Sequence, residues 1–304
     1  MFTGMSEGGA RPAGDDGVTS GAERVAAAVA GTRFTDVRWA ATTGSTNADA
    51  MALARDGAPE GVVVVADHQS AGRGRRDRSW VAPPGGSLLV SVLLRPPSAI
   101  AGAVTMAAGL AMAEGIDEVA GVSAGLKWPN DLVVATPAGE RKLAGILAEA
   151  DWPAGSAISA GYRAPAPHDR AVVVVGVGLN VDWPRQDGTA GDGRGAGGLA
   201  EVAGIATALN WVGPTVDRAD VLAAFLRRLD ERYGDLVRSG PSGLLADWRG
   251  RSATMGRRVR VDLGADDVVG TAVDVTEEGH LVVESLEGER RTIAVGDVVH
   301  LRSA

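Results

Sequence analysis

Three long runs of apolar, largely β-branched residues constrain the fold of this chain more than any other feature. They lie within residues 61–67 (GVVVVAD), 87–94 (SLLVSVLL) and 172–181 (VVVVGVGLNV). Runs of this length, rich in valine and leucine and bounded by turn residues, predict strands that are buried inside a sheet. The segments 126–134 (LKWPNDLVV) and 141–150 (RKLAGILAEA) predict two further strands.

Helical patterns separate these runs. Residues 44–61 predict a short helix that begins at Ser45 or Thr46 and is stopped by glycine and proline. Residues 103–119 form an alanine-rich helical segment, and apolar residues recur at helical spacing over 221–236, which predicts a helix with one face in the core. Helices and strands together predict an α+β body.

The pattern changes after about residue 254. Short alternating stretches separated by turn residues predict a small closed β-domain of about 50 residues. At the other end, residues 1–32 are rich in Gly, Ala, Asp and Ser, which predicts a disordered arm with a short helix at 22–31. Residues 185–199 are of low complexity and predict a mobile segment.

Charge and cysteine content exclude several classes of function. The formal net charge is −8, which argues against sequence-blind nucleic-acid binding because such binding requires a basic face. The absence of cysteine excludes disulfides, thiolate metal sites and a cysteine nucleophile, and it agrees with a reducing compartment. The sequence has neither a signal-peptide pattern nor a continuous run of 18 apolar residues, so we expect a cytoplasmic protein without a membrane span.

A glycine-punctuated arginine cluster is therefore a local device in an acidic chain. The stretch GRGRRDRSW spans residues 72–80 and lies in the loop between two predicted strands. Its glycines permit close backbone approach to a ligand, and its guanidinium groups suit phosphate or carboxylate, which predicts an anionic ligand. Two alternatives stay open for this motif taken alone: a solvated surface loop and an RNA contact.

The two lysines are the second unusual feature, because the other 28 basic residues are all arginine. Lys127 precedes a Trp-Pro-Asn-Asp sequence whose proline bends the strand, so that Lys127, Asn130 and Asp131 point to one place. The alternative is a structural β-bulge. Lys142 begins a strand in which Gly145 permits close approach of a ligand, although such a lysine is ordinarily a solvated edge residue.

The order of these strings resembles the biotin protein ligase family over roughly residues 38–304. They are STN, HQSAGRGRRDRSW, KWPNDL, KLAGIL and GVGLNV, followed by the small β-domain. The resemblance implies a disordered arm at 1–32, a catalytic domain at 33–253 and an SH3-like barrel at 254–304. The catalytic domain would be a mixed β-sheet flanked by helices, similar to class II aminoacyl-tRNA synthetases. The GVGLN string alone does not support dinucleotide binding, because the third glycine and the following helix are absent.

The resemblance also implies a two-step reaction. Biotin and Mg²⁺-ATP would give biotinyl-5′-AMP and pyrophosphate, and a lysine of a biotin carboxyl carrier domain would then attack the acyl-adenylate. We expect no nucleic-acid or membrane partner and a monomer or weak dimer. The arm at 1–32 is too short for the DNA-binding domain of the family's regulatory members. Two alternatives remain: a lipoate or octanoate transferase of related fold, and an RNA-binding module.

The resemblance carries roles to individual positions. The implied catalytic residues are Lys142, Arg73 and Asp131. The implied biotin-binding residues are Ser45, Thr46, Gln69, Gly72, Arg73, Lys142 and Gly145. The implied ATP and adenylate contacts are Arg75, Arg76, Arg78, Trp80, Lys127, Asn130, Lys142, Asn180 and Arg302. The residues holding the metal are not identified by the motifs.

One position departs from the family pattern. The loop of the family reads GRGRRGR, whereas Asp77 replaces the third glycine here. We expect its carboxylate to pair with Arg75 or Arg78, and its Cβ to restrict any left-handed backbone geometry at that point.

Overall fold

The computed structural model describes most of the chain. The described residues are 15–151, 157–158, 161–162, 169–184, 202, 204–264 and 267–301. The predictions for residues 1–14 and 185–199 and for Arg302 lie outside this part of the chain.

A seven-stranded mixed sheet forms the centre of the larger domain. Its seven strands are β1 (Asp36–Thr43), β2 (Val62–Gln69), β3 (Ser87–Leu94), β4 (Gly125–Lys127), β5 (Asp131–Thr136), β6 (Gly139–Asp151) and β9 (Val172–Asn180). Two short strands, β7 (Ala157–Ile158) and β8 (Gly161–Tyr162), pair with each other in a separate two-stranded sheet. The order across the sheet is β1-β2-β3-β9-β6-β5-β4. Strands β1 and β2 pair in parallel, and β3, β9, β6, β5 and β4 continue the sheet antiparallel.

Helices lie on both faces of this sheet. They are α1 (Asp15–Ala28), α2 (Thr46–Arg55), α3 (Val104–Ala120), α4 (Leu209–Val212), α5 (Arg218–Ser239) and α6 (Ser242–Arg251), with a 3-10 turn at Ser98–Ala103 before α3. Val62 and Val64 of β2 pack with α2, whereas Val63 and Val65 belong to the main core, which includes α3 and α5. Successive side chains thus enter two different apolar layers, which explains why the strand has no polar alternation.

The segment Ser98–Ala120 is the one described segment that is long and apolar enough to cross a membrane by length and composition. In its most apolar 18-residue window, 72% of the surface is buried within the fold. A Cβ on Gly115 would lie 3.0 Å from the backbone nitrogen of Phe225, so α3 and α5 pack in close contact. This is the environment of a core helix.

For the described part of residues 1–32, the short helix predicted at 22–31 is confirmed over 22–28, whereas the disorder expected before it is wrong for residues 15–21. Helix α1 covers Asp15–Ala28, and its residue Val25, together with Val29 just after the helix, is 1% exposed within the main core. Two valines four positions apart lie on one helical face, and burying that face stabilises the helix despite the Gly- and Asp-rich composition. Strand β1 was also not predicted, because DVRWAATT is neither a continuous apolar run nor a clean alternation.

The C-terminal domain is a five-stranded antiparallel sheet. Its strands are β10 (Arg258–Asp262), β11 (Asp267–Val275), β12 (Leu281–Glu284), β13 (Arg290–Ile293) and β14 (Asp297–His300). The order is β13-β12-β11-β10-β14. The predicted fold class, an α+β mixed-sheet domain followed by a small β-domain, is confirmed.

The segment 127–131 of the larger domain contacts the smaller domain. LKWPNDLVV is divided into β4 and β5 by a cis peptide bond between Trp128 and Pro129. The indole nitrogen of Trp128 donates to the carbonyl of Gly279 at 2.9 Å, and its backbone nitrogen donates to the Thr254 hydroxyl at 3.1 Å. The smaller domain therefore lies directly beside the predicted ATP-binding lysine, Lys127.

Candidate active site

A cavity of about 700 Å³ lies between the arginine loop, strands β5, β6 and β9, and the C-terminal sheet. Most of the residues to which the sequence assigned a role line it. They are Ser45, Thr46, Gln69, Arg73, Arg75, Arg78, Trp80, Lys127, Asn130, Asp131, Lys142, Gly145 and Asn180. Gly72 and Arg76 belong to the adjoining loop but do not line the cavity, and Arg302 is outside the described residues.

One end of the cavity is a buried polar cluster at the start of α2. The side-chain oxygen of Gln69 accepts hydrogen bonds from the Thr46 backbone nitrogen at 2.7 Å and from its hydroxyl at 2.9 Å. The Ser91 hydroxyl lies 2.7 Å from the Thr46 hydroxyl. Ser45 precedes the helix in extended conformation without a side-chain cap bond, so its buried hydroxyl is not used to stabilise α2. These groups can recognise a small polar head group.

A series of side-chain hydrogen bonds joins this end of the cavity to the arginine loop. The Asn47 amide nitrogen donates to Glu149 at 2.8 Å, and the same carboxylate oxygen accepts from Arg73 at 2.7 Å. A Cβ on Gly176 would collide with the Asn47 side chain, so the glycine provides the space in which Asn47 lies. Asn47 belongs to the STN string but was given no role, and Glu149 was not predicted because its partners lie far along the chain.

Trp80 lies on the floor of the cavity. A Cβ on Gly178 would lie 2.5 Å from the Trp80 ring, and one on Gly145 would lie 3.0 Å from it. These two glycines face each other in the pairing of β6 and β9, so together they form a flat site for the indole. The indole nitrogen of Trp80 is buried and has no hydrogen-bond partner among the described residues, which leaves a donor free for a bound molecule.

Lys142 lies beside this indole and lines the cavity. Its ammonium nitrogen is 2.6 Å from an Asp131 carboxylate oxygen and 5.5 Å from the centroid of the Trp80 ring. Its backbone nitrogen donates to the Ile205 carbonyl at 2.8 Å, and its carbonyl accepts from Thr207 at 2.8 Å. A residue with an ion pair, a cation–π contact and a fixed backbone is not a solvated edge lysine, so that alternative is wrong for Lys142.

The β-bulge alternative for the Asn-Asp motif describes part of the same arrangement. The pairing of β5 with β6 shifts register between Leu132 and Val133, directly opposite the strand segment that carries Lys142. The bulge increases the local bend and brings Asp131 to the Lys142 side chain. The structural and functional explanations of this motif are therefore compatible.

The arginine loop is closed as a small hairpin. Backbone bonds run from Trp80 nitrogen to Gly72 oxygen at 3.0 Å and from Gly74 nitrogen to Arg78 oxygen at 2.6 Å. Arg76 and Asp77 form its tip with left-handed φ values of 53° and 57°. The predicted conformational restriction thus falls at the residue that replaced glycine.

The predicted pairing of Asp77 with Arg75 or Arg78 is wrong: Asp77 forms no ion pair with any described residue. The loop's cations are instead paired across the domain boundary. Asp297 of β14 contacts Arg75 at 3.9 Å and Arg76 at 3.3 Å, and it also pairs with Arg78.

Arg75 is the most buried guanidinium of the loop. It contacts the Asn130 side-chain oxygen at 3.4 Å and the Gly296 carbonyl at 3.3 Å. Burial, followed by the charge of Arg76, lowers the pKa of the Arg75 guanidinium from its ordinary value. A cation held under these conditions gains most from an arriving anion, so this part of the cavity is suited to phosphate.

Lys127 and Asn180 occupy the flanks. Lys127 lies 3.6 Å from Glu140, and its side chain is 24% exposed. The Asn180 amide nitrogen donates to the Thr207 carbonyl at 2.9 Å, which ties β9 to the segment that holds Lys142. Within the described residues no three His, Asp or Glu side chains form a group able to hold a metal ion.

Comparison with known proteins agrees with this geometry. Residues 39–153 match the model of the biotin/lipoate A/B protein ligase family, and residues 254–301 match the biotin protein ligase C-terminal domain. The biotin–[acetyl-CoA-carboxylase] ligase of Mycobacterium tuberculosis is 38% identical over 282 residues, which cover 90% of this chain and 92% of that protein. The bifunctional ligase/repressor BirA of Bacillus subtilis is 32% identical over 81% of this chain and 69% of its own length.

A solved structure supports the same fold. The biotin protein ligase of Aquifex aeolicus in complex with biotin and ATP superimposes with a TM-score of 0.66 at 24% identity. The match covers 89% of this chain and all of that one. With the order of motifs, the two domains and these likenesses taken together, the chain belongs to the biotin protein ligase family.

Proposed function

We propose that this chain joins biotin to a lysine of a carrier domain in an ATP-dependent reaction through biotinyl-5′-AMP. One observation carries the proposal: a single cavity is lined by a polar cluster, a lysine paired with an aspartate, and an arginine cluster. Thr46 and Gln69 build the polar cluster, and Lys142 and Arg75 line the same cavity. This combination suits an acid with a polar ring whose carboxylate meets a nucleotide phosphate.

In the activation step a biotin carboxylate oxygen attacks the α-phosphorus of ATP. A phosphorus–oxygen bond forms, the bond to the β-phosphate oxygen breaks, and pyrophosphate leaves. Two anions must approach each other, so the main contribution of the protein is positive charge at the developing phosphorane oxygens. Lys142 would serve both anions, and Arg73 would serve the acyl phosphate.

Magnesium bound to ATP would neutralise the β- and γ-phosphates and favour the departure of pyrophosphate. Mg²⁺ usually keeps several waters and is held by substrate phosphates with one or two carboxylates. The absence of a three-residue acidic group among the described residues is compatible with a metal that is held mainly by the nucleotide. The arginines of the loop would take the remaining phosphate oxygens.

In the transfer step the carrier lysine amine attacks the acyl carbon of biotinyl-AMP. A carbon–nitrogen bond forms, the bond to the phosphate oxygen breaks, AMP leaves, and the amine loses a proton. Asp131 lies at this point, with Lys142 at 2.6 Å. Once Lys142 is attracted to phosphate, the Asp131 carboxylate is available to orient the amine and accept its proton.

The arginine loop would change partners during the cycle. Asp297 and Glu149 hold its guanidiniums in this structure, and a triphosphate or acyl phosphate would replace those carboxylates. Exchange between two sets of anions keeps four like charges close without a large electrostatic cost. It would also allow the loop to close over a labile acyl-adenylate and exclude water.

The test distinguishes biotin from lipoate, which the same family model includes. Biotin with ATP and Mg²⁺ should raise the melting temperature by several degrees, because tight binding stabilises the native state by mass action, whereas lipoate should leave it unchanged. With an added carrier domain, streptavidin should detect the labelled carrier. Equal stabilisation by lipoate, or failure to label the carrier, would contradict the proposal.

The remaining expectations are also proposals. The net charge of −8 and the carboxylates that already neutralise the arginine loop favour phosphate of a nucleotide over RNA as its ligand. Retention of RNA at moderate salt would contradict that view. We further propose that the protein acts in the cytoplasm, where its carboxylase substrate and ATP are found. We propose that it acts there as a monomer or weak dimer.

A further inference from the structure

A closed ring of contacts joins Lys127 to the last strand of the C-terminal domain. The Lys127 ammonium lies 3.6 Å from one oxygen of Glu140, and the same oxygen lies 3.1 Å from His300 Nδ1. His300 Nε2 lies 3.2 Å from the Thr254 hydroxyl, which accepts a hydrogen bond from the Trp128 backbone nitrogen at 3.1 Å. Because Trp128 follows Lys127 in the chain, the ring returns to its starting point.

His300 makes polar contacts through both ring nitrogens. Nε2 lies 3.2 Å from the Thr254 hydroxyl, which accepts the Trp128 N–H. Nδ1 lies 3.1 Å from the Glu140 carboxylate, to which it donates when it carries the proton, and 3.2 Å from an Arg257 guanidinium nitrogen. Thr254 is fully buried and the His300 side chain is 11% exposed, so water competes little for these bonds.

The charges around Glu140 come from three different elements. Lys127 approaches from β4, His300 from β14, and Arg257 from the segment before β10 at 3.3 Å. Burial raises the pKa of the Glu140 carboxyl, but the hydrogen bond from His300 and the charges of His300, Lys127 and Arg257 outweigh it and leave that pKa below its ordinary value. The carboxylate therefore stays ionised and keeps an attractive field on Lys127.

We propose that Glu140, oriented by His300 of the C-terminal domain, is a positioning residue that holds the Lys127 ammonium at the edge of the cavity for the phosphates of ATP. Both Lys127 and Glu140 line the cavity, and no other described residue pairs with that ammonium. The inference rests on the proposed function, because it needs a nucleotide in this cavity. It gives the small domain a role at the site, because the domain supplies the histidine that orients the carboxylate.

A purely structural role for the same ring of contacts predicts a different result. If Glu140 only fastened the two domains together, its loss would lower the melting temperature and affect biotin and ATP alike. If Glu140 positions Lys127, its loss should weaken the binding of ATP and leave the binding of biotin nearly unchanged. Without its carboxylate partner the Lys127 side chain samples several rotamers. Binding of the nucleotide must then order that side chain, and the entropic cost of doing so weakens ATP binding.

The experiment compares Glu140→Gln, Glu140→Asp and His300→Ala with wild type in biotin-dependent pyrophosphate exchange. Glu284→Gln is the matched control, since Glu284 also accepts from an arginine, Arg290, but lies in β12 away from Lys127. We expect Glu140→Gln to raise the KM for ATP at least about fivefold with little change in kcat or in the KM for biotin. Glu140→Asp should recover most of the loss, His300→Ala should reproduce part of it, and the control should match wild type.

Calorimetric binding of ATP to the same proteins keeps two kinds of failure apart. Absence of exchange by the wild-type protein would count against the proposed function, whereas ATP binding would still report on Glu140. Unchanged ATP affinity in Glu140→Gln would overturn the inference. A parallel loss of ATP affinity, biotin affinity and melting temperature in Glu140→Gln, without recovery in Glu140→Asp, would also overturn it, because that pattern belongs to a fastening role.

Discussion

The two lysines show how a single side chain is constrained at the residue scale. The Lys142 ammonium is enclosed by Asp131, by the Trp80 ring and by Gly145, where a Cβ would lie only 3.0 Å from the ammonium nitrogen. A compact ammonium fits this space and can face two anions from one point. A planar guanidinium is wider and requires a broader approach. The steric reason for keeping lysine is thus visible around the residue.

Lys142→Arg should lose at least about tenfold in adenylation although the charge is preserved, which corresponds to about 1.4 kcal/mol of transition-state stabilisation. The guanidinium cannot occupy the ammonium position without displacing Trp80 or Asp131. Biotin-dependent pyrophosphate exchange measures the loss. Arg238→Lys, at an exposed position of α5, is the control and should be silent. Wild-type exchange by Lys142→Arg would refute the catalytic role.

Asp77→Gly should have a small effect on stability, within about 1 kcal/mol, because two terms nearly cancel. Glycine removes the cost of a left-handed backbone for an L-residue but increases the entropy of the unfolded chain. The more flexible hairpin tip should release biotinyl-AMP modestly faster and be cleaved more readily by protease. Denaturant unfolding and adenylate retention measure the two effects. A change above about 2 kcal/mol, or identical release and cleavage, would contradict this prediction.

At the scale of elements, the sequence was informative wherever one local pattern determined the result. The buried strands β2, β3 and β9 were predicted because each run is apolar on both faces. Strand β1 and helix α1 were not, since their burial depends on partners far along the chain. For the same reason the cations of the site were found, whereas their carboxylates were not: Arg73 and Glu149 are 76 positions apart, and Arg76 and Asp297 are 221 apart.

The glycines of β9 are a second example of this limit. In the sequence GVGLN they resemble an incomplete phosphate-binding motif. In the fold they make room: Gly176 for the Asn47 side chain and Gly178 for the Trp80 ring. A sequence pattern indicates that a backbone is approached closely, but it does not say which side chain approaches it.

Gly178→Ala should therefore disturb the site more than the fold. The added methyl group would lie 2.5 Å from the Trp80 ring, so the indole must leave the floor of the cavity. We expect the dissociation constant for biotin to rise at least about fivefold, about 1 kcal/mol, with a small change in melting temperature because Trp80 belongs to a surface hairpin. Gly243→Ala, which meets no atom within 4 Å, is the control. Unchanged biotin affinity would show that the methyl group is accommodated.

Asp217 connects two helices and gives a prediction about pH. Its carboxylate caps α5 by accepting from Ala219 nitrogen at 2.8 Å and pairs with Arg24 of α1 at 2.5 Å. Burial raises the pKa of Asp217, but the bonds from Arg24 and Ala219 outweigh it and lower that pKa from 3.8. The stabilisation is therefore present above pH 3.8 and is lost as the pH falls through the lower folded-state pKa.

Asp217→Ala should cost about 1 kcal/mol at neutral pH through loss of the cap, while Asp217→Asn should cost less because asparagine also caps helices. The difference between wild type and Asp217→Asn should shrink as the pH falls through the acidic range just described. Urea unfolding at several pH values measures both effects. A difference that persists undiminished at the acidic end would assign the stabilisation to something other than the ionised carboxylate.

At the scale of the whole molecule, the two domains complete one site. The larger domain supplies the polar head-group end, Lys142 and the arginine loop. The smaller domain supplies Asp297, which pairs with the loop, and His300, which lies beside the carboxylate that faces Lys127. An acidic chain thereby maintains a local concentration of positive charge, because the cations of the site are paired with carboxylates. The motifs predicted the positive half of this arrangement, and the domain contact adds the negative half.

We expect this cavity to form an acyl-adenylate before any carrier protein is present. The most direct measurement is the exchange of labelled pyrophosphate into ATP by the purified protein with biotin and Mg²⁺ and no acceptor. We expect exchange that depends on biotin and is not supported by lipoate, because activation and transfer are separate steps of one covalent sequence. Exchange that required the carrier domain, or that proceeded equally without biotin, would contradict it.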